Sequence, residues 1–244
     1  MSVASVDAGR GFGVGNVIVG AWNLFVANLA FFFAVTLIAA LPGLLFHLTH
    51  TAEQPEQIGW SAAIPIIAGT ILNTLAQAVI LFVALEHLRG LPVRPGEAFR
   101  KTLGRFFPLL ALGVLYSLAV GIGFALLIVP GLVLLVMWAV VVPACVAENL
   151  GPIASLSRSA NLTKGHRWTV FWVIVPVVIV SAGVSFLLDW ILGAQGSLVS
   201  AVAGLIWTAV WFAYWNCVLV IMYHELRVVK EATDIHQIAA QAGH

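Results

Sequence analysis

The sequence predicts an all-α, polytopic membrane protein with six transmembrane helices arranged as three hairpins. Three observations predict this fold class: the composition, the length of the apolar runs and the placement of the positive charges. Hydrophobic residues make up 61% of the 244 residues and charged residues only 9%, whereas soluble domains contain about 25% charged residues. Because so few charges cannot solvate a globular surface, most of the surface is expected to face lipid.

The longest apolar run lies between Arg105 and Glu148, and residues 106–147 carry no formal charge. As one straight helix this run would be roughly 63 Å long at about 1.5 Å per residue, and the hydrocarbon core of a bilayer is only ~30 Å thick. Pro130-Gly131 lies near the middle of the run, and this dipeptide is a strong break signal. The run therefore predicts two antiparallel spans, the third and fourth of the chain, with a turn at Val129–Gly131.

The other apolar runs predict four more spans, at about 24–46, 60–85, 169–192 and 198–223. The first run is longer than the core of a signal peptide and is expected to remain as a span. Interfacial helices are expected before each hairpin: at 11–23, from Pro95-Gly96 onward, and from Pro152 to Gly165, where proline in the first turn and glycine at the end are typical helix boundaries. A separate polar helix is expected to begin at Glu225.

All eleven Lys and Arg residues fall on one side of this topology. With the N terminus inside and six crossings, the inner side carries Arg10, Arg89, Arg94, Arg100, Lys101, Arg105, Arg158, Lys164, Arg167, Arg227 and Lys230. The outer side carries none, and its longest loop, 47–59, contains Glu53 and Glu56. Because cytoplasmic loops are enriched in Lys and Arg, the distribution predicts an inner-membrane protein with both termini in the cytoplasm.

A threefold internal repeat is indicated by the glutamate that ends each predicted hairpin: Glu86, Glu148 and Glu225. The sequence around Glu86, LEHLR, is similar to HELR around Glu225, and LPGL at 41–44 corresponds to VPGL at 129–132. The order predicts repeats at 11–88, 95–150 and 151–230 within a single integral membrane domain, 1–244. The alternative is that many polytopic proteins carry interfacial charges after their apolar runs.

The segment from 130 to 168 carries the pattern of a known family. Its residues are Pro130-Gly131-Leu132-Val133, Trp138, Pro143, Glu148, Gly151-Pro152, Ala154, Leu156, Arg158-Ser159, Leu162-Thr163, Gly165 and Trp168. This pattern resembles the membrane domain associated with glycerophosphoryl diester phosphodiesterases and the related YciC-like bacterial inner-membrane proteins, and the ending Tyr223–Arg227 with Lys230-Glu231 is similar to theirs. In that family the membrane domain is sometimes fused to a separate phosphodiesterase barrel, and this sequence contains no such barrel. The resemblance therefore implies a membrane fold and not catalysis.

The three glutamates are expected to form ion pairs, because a carboxylate at the end of a span is costly unless it is paired or hydrated. The expected pairs are Glu148 with Arg158 or Arg100, Glu86 with Arg89, and Glu225 with Arg227. Such pairs would pin surface helices to spans. Two alternatives stay open: solvation of each carboxylate by headgroups and water, or a role in moving a proton or a substrate.

Six inner cations are candidates for binding lipid headgroups: Arg100, Lys101, Arg105, Arg158, Lys164 and Arg167. The cytoplasmic leaflet is anionic, and each cation near it contributes ~1 kcal/mol to attraction. The alternative is that these residues only determine topology.

Polar residues follow one another at helical spacing on the second span: Thr70, Asn73, Thr74 and Gln77. We call them the polar stripe. Since amides are costly against lipid, the stripe is expected to face a neighbouring helix or a wet cavity. Asn216 and Thr208 of the last span are candidate partners. Interhelical hydrogen bonding is the simplest function, and lining a path for an amphiphile is the alternative.

Catalytic, cofactor and metal motifs are not found in the sequence. His47 and His50 are three residues apart but have no third fixed ligand, and Cys145 and Cys217 lie in apolar spans without a ligand pattern. Cations spread along one membrane face do not indicate a nucleic-acid interface.

The sequence therefore predicts a non-enzymatic inner-membrane protein that interacts with phospholipid or with an envelope component. Two alternatives are a small transporter or flippase-like carrier of an amphiphile, and a membrane anchor or regulator of a soluble partner. Spans rich in Gly and Ala are also compatible with a homo-oligomer or a membrane-protein partner.

Overall fold

The computed structural model describes residues 12–50, 63–91, 95–192 and 198–242, without the side chains of 45–50, 63–66, 95, 198 and 233–242. All elements in these residues are helices: α1 (Val14–Ala27), α2 (Leu29–His50), α3 (Ala63–Leu88), α4 (Pro95–Leu103), α5 (Phe106–Leu126), α6 (Ile128–Met137), α7 (Val141–Glu148), α8 (Pro152–Thr163), α9 (Arg167–Leu192) and α10 (Leu198–Ala242). Five stretches, in α3, α5, α6–α7, α9 and α10, are long and apolar enough to cross a membrane, and a sixth results if α1 and α2 form one bent span. The predicted all-α class is confirmed for the described residues, with five or six stretches long and apolar enough to span a membrane.

The first apolar run bends at Asn28, where the axes of α1 and α2 meet at 85°. The sequence placed the end of the first interfacial helix at residue 23, so the bend lies later than predicted. The Asn28 side chain caps the end of α1, because its Nδ2 donates a hydrogen bond to the Leu24 carbonyl at 3.1 Å. The same nitrogen lies 3.4 Å from Nδ1 of His87 at the end of α3. A local side-chain bond of this kind competes with continuation of a helix.

Helix α1 is part of the bundle and is not only an interfacial helix. Its buried face, Val17, Ala21, Leu24 and Phe25, belongs to the main apolar core. This core surrounds the middle of α10 and also includes residues of α2, α3, α7, α8 and α9. The ring of Phe25 packs edge-on against Tyr214 of α10 with ring centroids 6.0 Å apart.

The central hairpin turns at Leu127, which is extended (φ −162°, ψ 152°) between α5 and α6. The predicted turn at Val129–Gly131 is therefore wrong by a few residues. Pro130 and Gly131 lie in the first turn of α6, where proline is tolerated because its missing N–H would have no intrahelical partner. Gly131 instead provides close packing, since a Cβ built there would lie 2.5 Å from Cγ of Phe124.

The fourth predicted span consists of two helices, because α6 ends at Met137 and α7 begins at Val141. The Met137 carbonyl accepts hydrogen bonds from the hydroxyls of Ser159 and Thr163 on α8, at 3.1 Å each. Together with Ser155 and Leu162, these residues form a buried face of α8. The expectation of a purely interfacial helix at 152–165 is corrected accordingly: one face of α8 packs against the broken span.

The last span and the expected C-terminal helix are one continuous helix, α10, from Leu198 to Ala242. The predicted start of a new helix at Glu225 is wrong, because a charged residue without Pro, Gly or a cap does not end a helix. A short helix followed by two long helical segments occurs three times along the described chain, as α1–α3, α4–α7 and α8–α10. The threefold repeat and the cytoplasmic position of the termini stay predictions.

Candidate functional site

Glu148 connects three helices through its carboxylate. Arg158 of α8 donates from Nε to both carboxylate oxygens at 2.8 Å. The hydroxyl of Tyr223 on α10 donates to Oε1 at 2.9 Å. The sequence indicated the Glu148–Arg158 pair and missed Tyr223, since a phenol inside an apolar run gives no charge signal.

The cluster continues along α10 through exposed groups. Nη2 of Arg158 lies 3.9 Å from Oε1 of Glu231, and Nε of Arg227 donates to the same oxygen at 2.6 Å. Arg227 thus pairs with Glu231 one turn away, and the predicted Glu225–Arg227 pair is not observed. Glu225 is 6% exposed, and no described residue forms an ion pair with it.

Glu86 lies next to α4 instead of pairing with Arg89 as predicted. Its Oε1 is 3.9 Å from Nζ of Lys101, whereas Arg89 lies in the exposed turn after α3. The residue is 8% exposed, and its Oε2 is buried without a hydrogen-bond partner among the described residues. Nζ of Lys101 also lies 4.6 Å from the ring centroid of Phe82, a distance typical of cation–π contact.

A cavity of about 240 Å³ opens beside this lysine. We call it the basic cavity. Its walls come from α3, α4, the turn that follows α4, α5 and the end of α7. They consist of Ala78, Phe82, Lys101, Thr102, Gly104, Arg105, Leu109, Val146 and Asn149. The cavity therefore combines two cations with an apolar wall.

Arg105 is held in this cavity by backbone carbonyls. Its Nη1 donates to the carbonyls of Cys145 at 3.1 Å and Leu150 at 3.2 Å, around the C-terminal end of α7, where carbonyls lack intrahelical partners. A guanidinium has five N–H donors, so donors remain after these two bonds. Within the described part of the chain no carboxylate forms an ion pair with Arg105. Its charge is therefore positioned but not neutralised.

The other predicted headgroup-binding cations do not join the basic cavity. Arg158 is engaged with Glu148. Arg100, Lys164 and Arg167 are exposed and do not line the basic cavity. The structure thus brings only Lys101 and Arg105 of the six together in a concave site.

The polar stripe is less covered than the sequence predicted. Thr70 and Asn73 are exposed, while Thr74 and Gln77 are half-buried. The Thr74 hydroxyl donates to the Thr70 carbonyl of its own helix at 2.8 Å.

The predicted partners of the polar stripe do not contact it through hydrogen bonds. Asn216 is fully buried in the core, and its Nδ2 donates to the Phe212 carbonyl of its own helix at 2.8 Å. Its Oδ1 has no hydrogen-bond partner among the described residues. Thr208 lies exposed on α10. The pairing of the stripe with Asn216 is therefore wrong, because the Asn216 Nδ2 donates within α10 and its Oδ1 has no partner on the stripe.

Metal ligation has no support in the part of the chain that the structure describes. No group of three or more His, Cys, Asp or Glu residues there could hold a metal ion, and Cys145 and Cys217 are free and buried. The side chains of His47 and His50, and the loop with Glu53 and Glu56, lie outside the described residues.

The chain matches no family model, no curated protein and no solved structure. The resemblance carried by residues 130–168 therefore stays a prediction.

Proposed function

We propose that this protein is a non-enzymatic, multi-pass protein of the bacterial inner membrane that binds an anionic phospholipid at the basic cavity. The observation that carries the proposal is the presence of Lys101 and Arg105 in one cavity with Ala78, Phe82 and Leu109. A phospholipid is complementary to this lining, because it has a negatively charged phosphate next to apolar chains.

The two cations suit a phosphodiester in different ways. The planar guanidinium of Arg105 presents a fork that matches two phosphate oxygens, whereas the ammonium of Lys101 acts as a compact point charge. Carbonyl bonds already hold Arg105 in place, so binding requires little additional ordering of that side chain. Lys101 is held less firmly, since its side chain is 52% exposed and its contact with Glu86 is 3.9 Å long.

The size of the cavity limits what can enter it. Its volume of about 240 Å³ is below the ~300–1,000 Å³ typical of sites that enclose a drug-sized ligand. A phosphate with part of the glycerol fits this size, while the acyl chains would stay in the bilayer along the exposed apolar surfaces of the helices. Orientation by the positive-inside rule places such a site at the anionic cytoplasmic leaflet.

Lipid titration with the purified protein tests this proposal. Nanodiscs of phosphatidylcholine with increasing phosphatidylglycerol would be used, and bound lipid would be counted by native mass spectrometry. We expect Arg105→Gln to weaken phosphatidylglycerol binding by about 10–100-fold, since a hydrogen bond to a charged group contributes about 1.5–3 kcal/mol. Arg105→Lys should recover only part of the affinity, because it restores the charge without the fork.

The matched control is Lys164→Gln, which removes one charge from an exposed position outside the cavity. This variant should bind nearly as wild type. Equal losses in the two variants would mean that attraction is a property of the whole basic face, and the proposed site would then be wrong. Thermal unfolding of each variant distinguishes lost binding from lost fold.

A further inference from the structure

The polar stripe lies on the same helix as one wall of the basic cavity. Ala78 and Phe82 of α3 line the cavity. Thr74 is four residues before Ala78, so it lies one turn further along the same face. Asn73 and Thr70 continue in the same direction, and Gln77 lies beside Ala78. The stripe thus begins where the cavity wall ends.

Contact between α3 and α5 ends at the same level. Ala78 is buried with Leu109 and Leu112 of α5. Further along α5, Leu115, Leu118 and Ile122 are 41%, 57% and 59% exposed. Asn73 and Thr70 on α3 are exposed as well. The polar side chains therefore lie on the part of α3 that α5 no longer covers.

Two amides of the stripe need a polar partner that the described residues do not supply. Neither Asn73 nor Gln77 forms a side-chain hydrogen bond with a described residue, whereas Thr74 is satisfied by its own helix. An amide facing acyl chains without a hydrogen bond is costly. A phosphate, a glycerol oxygen or water that accompanies a headgroup would satisfy these amides.

We infer that the polar stripe is a track for phospholipid headgroups that leads from the basic cavity toward the opposite leaflet. The headgroup moves along α3 while its acyl chains remain in the bilayer, so the protein equilibrates phospholipid between leaflets without an energy source. This inference rests on the proposed function, because the basic cavity forms the inner end of the track. A second copy of this chain is the other candidate to cover the stripe, and it does not explain the continuity with the basic cavity.

Reconstituted vesicles test the inference. Proteoliposomes would contain fluorescent phosphatidylglycerol in both leaflets, and dithionite would quench the outer label. Wild-type protein should expose the inner label to quenching much faster than protein-free vesicles do. The double variant Asn73→Leu with Gln77→Leu should slow this exchange by roughly tenfold or more, as loss of one hydrogen bond in the rate-limiting state predicts. Thr208→Leu, at an exposed position of α10, should leave the rate unchanged.

The outcomes separate this inference from the proposed function. If wild-type protein binds phosphatidylglycerol at the basic cavity but exchanges lipid only at the protein-free rate, the track is wrong and the binding site stands. An unchanged rate in the stripe variant would also overturn the track, as would a change from oligomer to monomer in that variant by native mass spectrometry. If Arg105→Gln leaves lipid binding intact, the proposed binding site is wrong instead.

Discussion

The carboxylate of Glu148 connects residues that are far apart in the chain. Arg158 contributes from α8 and Tyr223 from α10. The Glu148 and Arg158 side chains are 19% and 31% exposed, so water screens their attraction only partly. The Arg227–Glu231 pair is 39% and 50% exposed, and surface pairs of that kind contribute little.

Replacing Glu148 by Gln should destabilise the protein more than replacing Glu231 by Gln. The first change leaves the Arg158 guanidinium without its carboxylate, at a cost of about 1–3 kcal/mol. The second removes an exposed i,i+4 partner worth about 0.3–0.5 kcal/mol. Thermal unfolding in detergent would be compared for the two variants. Equal midpoints would show that the Glu148 cluster adds no more than a surface pair.

Removing the two hydroxyls that donate to the Met137 carbonyl should have non-additive effects on the free energy of unfolding. Ser159→Ala or Thr163→Val alone leaves one hydroxyl on the carbonyl, so each single variant should be mildly destabilised. The double variant leaves a partly buried carbonyl without either hydroxyl, which costs at most about 1–3 kcal/mol. A double-mutant cycle measured by thermal unfolding gives the coupling energy. Additive effects would contradict the shared-acceptor geometry.

Some of these contacts could be predicted from charge alone. Glu148 and Arg158 are close in sequence, and only the short turn at Asn149–Gly151 separates their helices, so few alternatives exist. Lys101 could not be assigned to Glu86, because the angle of α4 against α3 decides which cation reaches that carboxylate. Tyr223 could not be predicted as a partner of Glu148, because candidate partners within apolar runs are identified by their charge. A phenol donates a hydrogen bond but carries no charge.

The two helices of the central hairpin approach each other closely at two glycines. A Cβ at Gly123 would lie 3.1 Å from Cα of Gly131, and one at Gly131 would overlap the ring of Phe124. Phe124 is 39% exposed, but its atom nearest to that Cβ is Cγ, which is bonded directly to its own Cβ and is not the end of a flexible chain. Small residues of this kind allow helices to approach closely in a membrane.

Gly131→Ala should open or destabilise this hairpin by about 1–3 kcal/mol, the typical cost of overpacking. Gly121→Ala is the matched control, since nothing lies within 4 Å of a Cβ at that position. The control should be neutral or slightly stabilising because Ala favours a helix more than Gly. Both effects can be measured as shifts in the unfolding midpoint. A loss in Gly121→Ala as large as that in Gly131→Ala would argue against the packing explanation.

Helix existence could be predicted better than helix boundaries. The length of the apolar runs predicted the long helices, and Pro95 and Pro152 predicted where α4 and α8 begin. The Pro130-Gly131 pair misled because proline and glycine also suit a first helical turn in close contact. The bend at Asn28 depends on a side-chain bond to Leu24, and the interruption at 138–140 depends on hydroxyls supplied by another helix. Neither cause is visible in hydropathy.

For the molecule as a whole, the number of crossings depends on whether the bent pair α1–α2 spans the membrane. Six crossings place both termini inside, in agreement with the distribution of Lys and Arg. Five would place the N terminus and the first loop on the same side. The choice changes only the side on which the N terminus lies relative to the first loop. The leaflet that the basic cavity faces is the same in both cases, because α3 and all later helices keep their relative order.

Single-cysteine labelling should distinguish these topologies. Ser2→Cys and Lys164→Cys are expected to react with a membrane-impermeant maleimide only after cell lysis, while Gln57→Cys and Asp189→Cys should react in spheroplasts. The native Cys145 and Cys217 are buried, so a low background is expected from the parent. If Ser2→Cys and Gln57→Cys were labelled from the same side, the bent pair would not cross and the six-span topology would be wrong.

The carbonyl bonds of Arg105 can form only late in synthesis, because both partners follow it by 40 residues or more. Its partner Leu150 is 45 residues later in the chain, which a ribosome reaches about 2–9 s later at about 5–20 residues per second. During that interval the guanidinium at the start of α5 has neither carbonyl available, and it resists translocation as a free positive charge. With the predicted orientation, Arg105 would therefore first retain the start of α5 on the cytoplasmic side, and would bind the two carbonyls only after α6 and α7 have returned.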